Sequence, residues 1–249
     1  MTGYRALISA LILSRVREPV GFFFAFFFAP ALVLILGAIF GNDPSPQFQG
    51  RGYIDATLPA FSSLVLAIIG VLLLPMNQLA FRETGALRRL RLTPMRPFTF
   101  LTADLTVNFV IGLVGMIVAL LVGALVYGVD LPSNIGLVLL AAALGLVAFL
   151  ALGYTLSGLY PSTGAATGIG NVLMILLMLS SGAFVPLSVL SEGVRKVFDF
   201  SPIRHFVKLI DGLWSGEPWS DLLVPTAVLV GMTVVFGILG TLLFRRQRT

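Results

Sequence analysis

The stretch FRETGALRRLRLTPMRP, Phe81–Pro97, decides how this chain is read. Five of its residues are arginines (Arg82, Arg88, Arg89, Arg91, Arg96) and one, Glu83, is an acid. On either side lies a long apolar run, Ala56–Ala80 before it and Phe100–Tyr127 after it. A run of about 20 apolar residues crosses about 30 Å of hydrocarbon, so the basic stretch reads as a loop between two membrane spans. Leu87, Leu90 and Leu92 recur at helical spacing within it, which predicts a short amphipathic helix. Thr84-Gly85 supplies a cap and a turn, and Pro94 and Pro97 stop the helix.

The composition supports the membrane reading. The 249 residues are 57% hydrophobic and 11% charged, with a mean hydropathy of +1.01. A soluble domain carries about 25% charged residues, so this chain cannot clothe itself in a polar surface. The net charge is +5. Clustered arginines beside apolar spans fit anionic lipid headgroups and the positive-inside rule, and nucleic acid is not an expected partner. With no cysteine there is no disulfide framework and no thiolate metal site. Nothing in the first residues resembles a cleaved signal peptide.

Outward from the central loop, six spans are expected: Val20–Phe40, Ala56–Ala80, Phe100–Tyr127, Asn134–Leu159, Gly164–Val185 and Leu222–Phe244. Residues 1–19 come before them. Leu7, Ile8, Leu11, Ile12 and Val16 fall on one helical face and Arg5, Arg15 and Arg17 on the other, which predicts an interfacial helix ended by Pro19. Of the 16 basic residues, eleven gather on one side of this six-span layout. The positive-inside rule puts that side, with both termini and the central loop, in the cytoplasm. The outer segment 186–221 is semi-apolar. Val189, Leu190, Val194, Val197 and Phe198, then Ile203, Phe206, Val207, Ile210 and Leu213, predict two short outer-leaflet helices broken at Ser201-Pro202. Gly112, Gly115, Gly123, Gly164, Gly168 and Gly170 permit close contact between spans. The fold class is therefore all-α integral membrane.

Catalytic chemistry has little to work with. His205 is the one histidine, and no nucleophile or metal-ligand pattern accompanies it. The chain has no GxSxG, no HExxH and no GxxxxGK[ST] phosphate loop. Asp104 is the clearest acid within a span, near the loop end of Phe100–Tyr127. There it reaches water or pairs with an arginine of the central loop. Asn77, Asn108 and Asn171 are amides placed for hydrogen bonds between helices.

The central stretch also resembles the cytoplasmic loop of the permease subunits of type-2 ABC exporters. That loop reads Glu-x-x-Gly-Thr-Leu, then basic residues, Leu and Thr-Pro. The matching positions are Glu83, Gly85, Leu87, Arg88, Arg89, Leu90, Thr93 and Pro94, with Thr84 before Gly85 in the inverse of the commonest order. Ser181-Gly182-Ala183-Phe184-Val185-Pro186 resembles the family's Ser-Gly-x-hydrophobic-x-Pro signature. Ser201-Pro202 and the helix after it resemble the element before the last span. The likeness runs through the whole chain as a single permease domain.

This resemblance implies an exporter subunit that is not itself an enzyme and binds no cofactor. ATP and Mg would sit on a separate ABC ATPase, present in two copies and joined by a second permease subunit, identical or paralogous. Phe81–Pro97 would be the coupling helix, with Glu83, Thr84, Gly85, Leu87, Arg88, Arg89, Leu90 and Arg91 as the ATPase-coupling residues and the interfacial helix as a second contact. Cargo would pass between the second and fifth spans of facing subunits, and Phe61, Leu66, Asn77, Asn171, Met174 and Met178 are the candidate path residues. Short outer loops and phenylalanine-rich spans point to a lipophilic drug, antibiotic or lipid as cargo, and the resemblance implies a bacterial cell membrane as the location. The rival readings are export of polysaccharide and an ion-coupled secondary transporter. The latter should show inverted repeats and midplane carboxylates.

Overall fold

The computed structural model describes residues 2–17, 19–48, 50–85, 97–132, 134–184 and 191–246. Among the described residues every regular element is a helix. In chain order they are α1 (Thr2–Val16), α2 (Pro19–Phe26), α3 (Phe28–Phe40), α4 (Tyr53–Ile68), α5 (Leu74–Glu83), α6 (Pro97–Tyr127), α7 (Ile135–Leu159), α8 (Thr163–Ser181), α9 (Glu192–Asp199), α10 (Pro202–Trp214) and α11 (Leu223–Arg246). Among the described residues five helical stretches are long and apolar enough to cross a membrane: Tyr53–Glu83, Thr99–Tyr127, Ile135–Leu159, Thr163–Ser181 and Trp219–Leu243.

The expected span Val20–Phe40 is instead two helices, α2 and α3, of 8 and 13 residues. Pro30 explains the break. It has no N–H to offer the carbonyl of Phe26, so the ladder loses a bond there, while the Phe27 N–H still reaches the Phe23 carbonyl and the Ala31 N–H the Phe27 carbonyl, each at 2.8 Å.

The second expected span is continuous from Tyr53 to Glu83, but one wide π-turn, Ile69–Leu73, joins α4 to α5. The Leu74 N–H reaches back to the Ile69 carbonyl. Pro75 follows and cannot supply the N–H that an α-register would aim at Val71, so the wider register costs little here. The turn packs on α7 through two glycines. A Cβ on Gly153 would lie 1.9 Å from the Gly70 carbonyl oxygen. The two backbones touch because neither residue has a side chain.

α4 and α5 form the centre of the bundle. The most apolar window of Tyr53–Glu83 is 100% buried, whereas those of Thr163–Ser181 and Trp219–Leu243 are 22% buried. α3, α6, α7 and α10 all pack against α4. On α10 the periodic positions Ile203, Phe206, Val207, Ile210 and Leu213 are all buried. Phe206 fills the space over Gly145, with its ring 5.8 Å from that of Phe149. α9 precedes α10, and the helix break falls at Ser201-Pro202 as the sequence predicts. Val194 and Val197 of α9 are exposed.

At the end of the bundle away from α1, one amide ties the loop after α3 to the start of α4 and the end of α6. Asn42 donates to the Tyr127 carbonyl at 3.1 Å and to Asp55 Oδ2 at 3.3 Å, and its Oδ1 accepts the Asp55 N–H at 3.1 Å.

Candidate functional site

Of the residues expected to be functional, Glu83, Thr84 and Gly85 are described at the end of the bundle where α1 packs. α1 lies there, with Leu7 and Leu11 packed on Phe100, Ala103 and Val107 of α6. The end of α7 meets α11 at the same place, where Gly158 sits against Leu243.

Thr84 and Gly85 close α5. Thr84 Oγ1 donates to the Ala80 carbonyl at 2.7 Å, and the Gly85 N–H donates to the Arg82 carbonyl at 3.1 Å. Gly85 has φ +67°, the left-handed conformation that stops a helix at little cost only in glycine. The pair is thus a stop signal for the second span. Leu87, Arg88, Arg89, Leu90 and Arg91 lie outside the described residues, as do Thr93 and Pro94.

Glu83 is described and is already engaged. Its Oε1 accepts the Thr163 N–H at 2.8 Å and its Oε2 accepts the Thr163 hydroxyl at 2.7 Å. A carboxylate at the first turn of α8 satisfies an otherwise orphan donor and opposes the positive end of the helix dipole. Ser162 Oγ takes the Ala165 N–H at 3.2 Å as the ordinary N-cap. One residue earlier, Arg82 donates to the Ser157 carbonyl at 3.2 Å, near the end of α7. The last turn of α5 therefore holds the end of α7 and the start of α8 together.

Asp104 corrects the sequence reading. It neither reaches water nor pairs with an arginine of the central loop. It is wholly buried, and its partner is Arg15 of α1, Nη2 to Oδ1 at 2.9 Å. Asp104 Oδ2 accepts from Gln78 Nε2 at 2.6 Å and from the Tyr154 hydroxyl at 3.1 Å. Asn108, expected to bond between helices, donates to the Asp104 carbonyl one turn back in its own helix at 2.8 Å. Arg15 was expected on the polar face of the interfacial helix; it is 8% exposed. Its guanidinium also lies 5.6 Å from the centre of the Phe81 ring, which packs edge-on against Phe100. The signal available in sequence was one acid in a span and a nearby excess of arginine. Choosing among those arginines needed the fold, since Arg15 and Asp104 stand 89 positions apart.

The candidate path residues do not form one surface. Phe61 and Leu66 are wholly buried in the core, with the Phe61 ring 5.5 Å from Phe184. Asn77 is buried on α5, Met174 and Met178 are half-buried on α8, and Asn171 is exposed. Ser181-Gly182 ends α8, with Gly182 at φ +79° and Ser181 Oγ accepting the Ala183 N–H at 3.1 Å. Val185 and Pro186 of that motif lie outside the described residues.

Sequence reasoning missed a groove of about 490 Å³ between α6, α7 and α11, walled by Leu105, Phe109, Leu150, Tyr154, Phe236 and Gly240. His205 is half-buried on α10. Burial, and then the Lys208 ammonium, push its pKa below the ordinary 6.5, while the Asp199 carbonyl and carboxylate pull the other way. Among the described residues no group of three or more His, Asp or Glu side chains could hold a metal ion.

These helices and the buried polar node define a polytopic helical membrane protein. The comparisons then give the family: the model described as "ABC-2 family transporter protein" matches residues 41–242. The chain belongs to the ABC-2 transporter family and is a transport permease subunit. It is 29% identical over 194 residues to a protein of Bacillus subtilis (strain 168) named as a transport permease, YvfS, covering 75% of this chain and 76% of that protein.

Proposed function

We propose that this chain is the membrane half of an ATP-driven exporter in a bacterial cell membrane, with both termini cytoplasmic. Two such permeases, identical or paralogous, assemble with two copies of an ABC ATPase that carry the ATP and Mg. The observation that carries this reading is the anchoring of the last turn of α5. Arg82 and Glu83 tie it to the end of α7 and the start of α8, directly before the basic segment 86–96. A partner that pulls on that segment therefore acts on three spans at once. Leu87, Arg88, Arg89, Leu90 and Arg91 make the contact. Exposed ion pairs each give only about 0–1 kcal/mol, so several contacts act together.

The cargo is a lipophilic drug, antibiotic or lipid, met by the face of α8 that carries Asn171, Met174 and Met178. Methionine gives an adaptable apolar wall that suits varied cargo. Unchanged cargo selectivity after bulky substitutions at Asn171 and Met174 would count against this face. Ion-coupled transport through Asp104 is the second reading, favoured by the burial of that carboxylate inside a span. Loss of transport on collapsing the proton gradient at constant ATP selects it.

The test of the exporter reading is purification of the tagged chain from its native membrane in mild detergent, followed by an ATPase assay. The expected result is a stoichiometric ATPase subunit whose retention falls in the Arg88→Glu, Arg89→Glu double variant. A chain that purifies without an ATPase refutes the reading.

A further inference from the structure

Four helices meet at one carboxylate. Asp104 of α6 receives Arg15 from α1, Gln78 from α5 and Tyr154 from α7. These contacts bracket the basic segment. Gln78 and Phe81 stand on α5 just before it, and Phe100 and Asp104 stand on α6 just after it. Arg15 touches both stems, through Asp104 on one and the Phe81 ring on the other. The apolar seat of α1 on Phe100, Ala103 and Val107 runs alongside.

A buried ion pair is a poor source of net stability, because desolvating two charges offsets their attraction. It is a strong source of position, since any arrangement that separates the partners strands a charge in an apolar interior. We propose that Arg15 and Asp104 are positioning residues for energy coupling: their pair locks α1 to both stems of the segment 86–96, so that α1 and the ends of α5, α6 and α7 move as one body when the ATPase acts. This role rests on the exporter reading above.

The chain has no cysteine, so the permease itself gives no background labelling. Ser14 on α1 and Leu159 at the end of α7 are both exposed. The experiment uses the complex purified with its ATPase, carrying Ser14→Cys and Leu159→Cys with spin labels. The distance distribution is recorded without nucleotide and after trapping with ATP, Mg and vanadate. In the otherwise wild-type chain the distance within one subunit, separated from inter-subunit distances by single-label controls, keeps one narrow distribution in both states. The double variant Arg15→Gln, Asp104→Asn carries no buried charge, so it still folds and still retains the ATPase, but its distribution broadens or shifts on trapping. Arg15→Lys keeps a cation opposite Asp104 and keeps the narrow distribution.

Identical distributions in the wild type and the double variant, in both states, overturn the proposal and leave the pair a packing role only. A wild-type distance that changes on trapping overturns it as well, because α1 then moves independently. Failure of the wild-type chain to retain any ATPase is a different failure: it removes the exporter reading and this role with it.

Discussion

The crossing of Gly70 and Gly153 is the contact in this bundle with least tolerance, and Gly153→Ala tests it. The new Cβ would sit 1.9 Å from the Gly70 carbonyl oxygen and 2.9 Å from its carbon. An unstrained C···O contact needs about 3.3 Å, so α7 must move about 1.4 Å away from the π-turn. Both opposing atoms are backbone, so no rotamer change relieves the clash. Opening a packed interface this way costs typically 1–3 kcal/mol, and the size of the shift puts this site near the upper end, about 3 kcal/mol. At roughly 2–4 °C per kcal/mol for a chain of this size, the apparent Tm falls by about 6–12 °C. Gly168→Ala is the control. It lies within α8 with nothing within 4 Å of the added methyl, and alanine there gains up to about 1 kcal/mol of helix propensity. The assay is the fraction of monodisperse protein left in detergent after heating. Gly153→Ala melting with or above the wild type, while Gly168→Ala melts below it, refutes the close-crossing argument.

Asp104→Ala removes the buried carboxylate that Arg15, Gln78 and Tyr154 share and destabilises the chain by about 3–5 kcal/mol, read as a drop in the same heating assay and partly rescued by Arg15→Met in the same chain. Glu83→Gln keeps the shape but removes the charge at the start of α8, so amide exchange at Thr163 and its neighbours quickens while the core of α7 is unchanged. Unaltered exchange there would mean the Glu83–Thr163 contact does not hold the helix start. His205 prefers its neutral form in the fold, since burial lowers its pKa. As pH falls through the ordinary value of 6.5, the unfolded chain takes up the proton first. Stability therefore falls with acidification until the folded residue also protonates, and His205→Gln flattens that part of the Tm profile.

Most of the helices could be read along the chain because their signals are local. The length of the apolar runs gave five of the spans, and Ser201-Pro202 gave the break before α10. α10 was legible down to the residue because it has one polar and one apolar face. Thr84-Gly85 could be placed as a turn, though only the structure shows that it ends α5. Three things came from tertiary structure alone. The first is which span is central. Lipid and protein interior are both apolar, so Tyr53–Glu83 and Trp219–Leu243, with hydropathies of 2.3 and 2.4, look alike in sequence while one is enclosed and the other faces outward. The second is the Gly70–Gly153 contact, which a list of glycines cannot rank, because closeness belongs to the crossing and not to the residue. The third is the pairing of Arg15 with Asp104. Charge shows that an acid in a span needs a partner, but several arginines were on offer, and the docking of α1 on α6 selects Arg15.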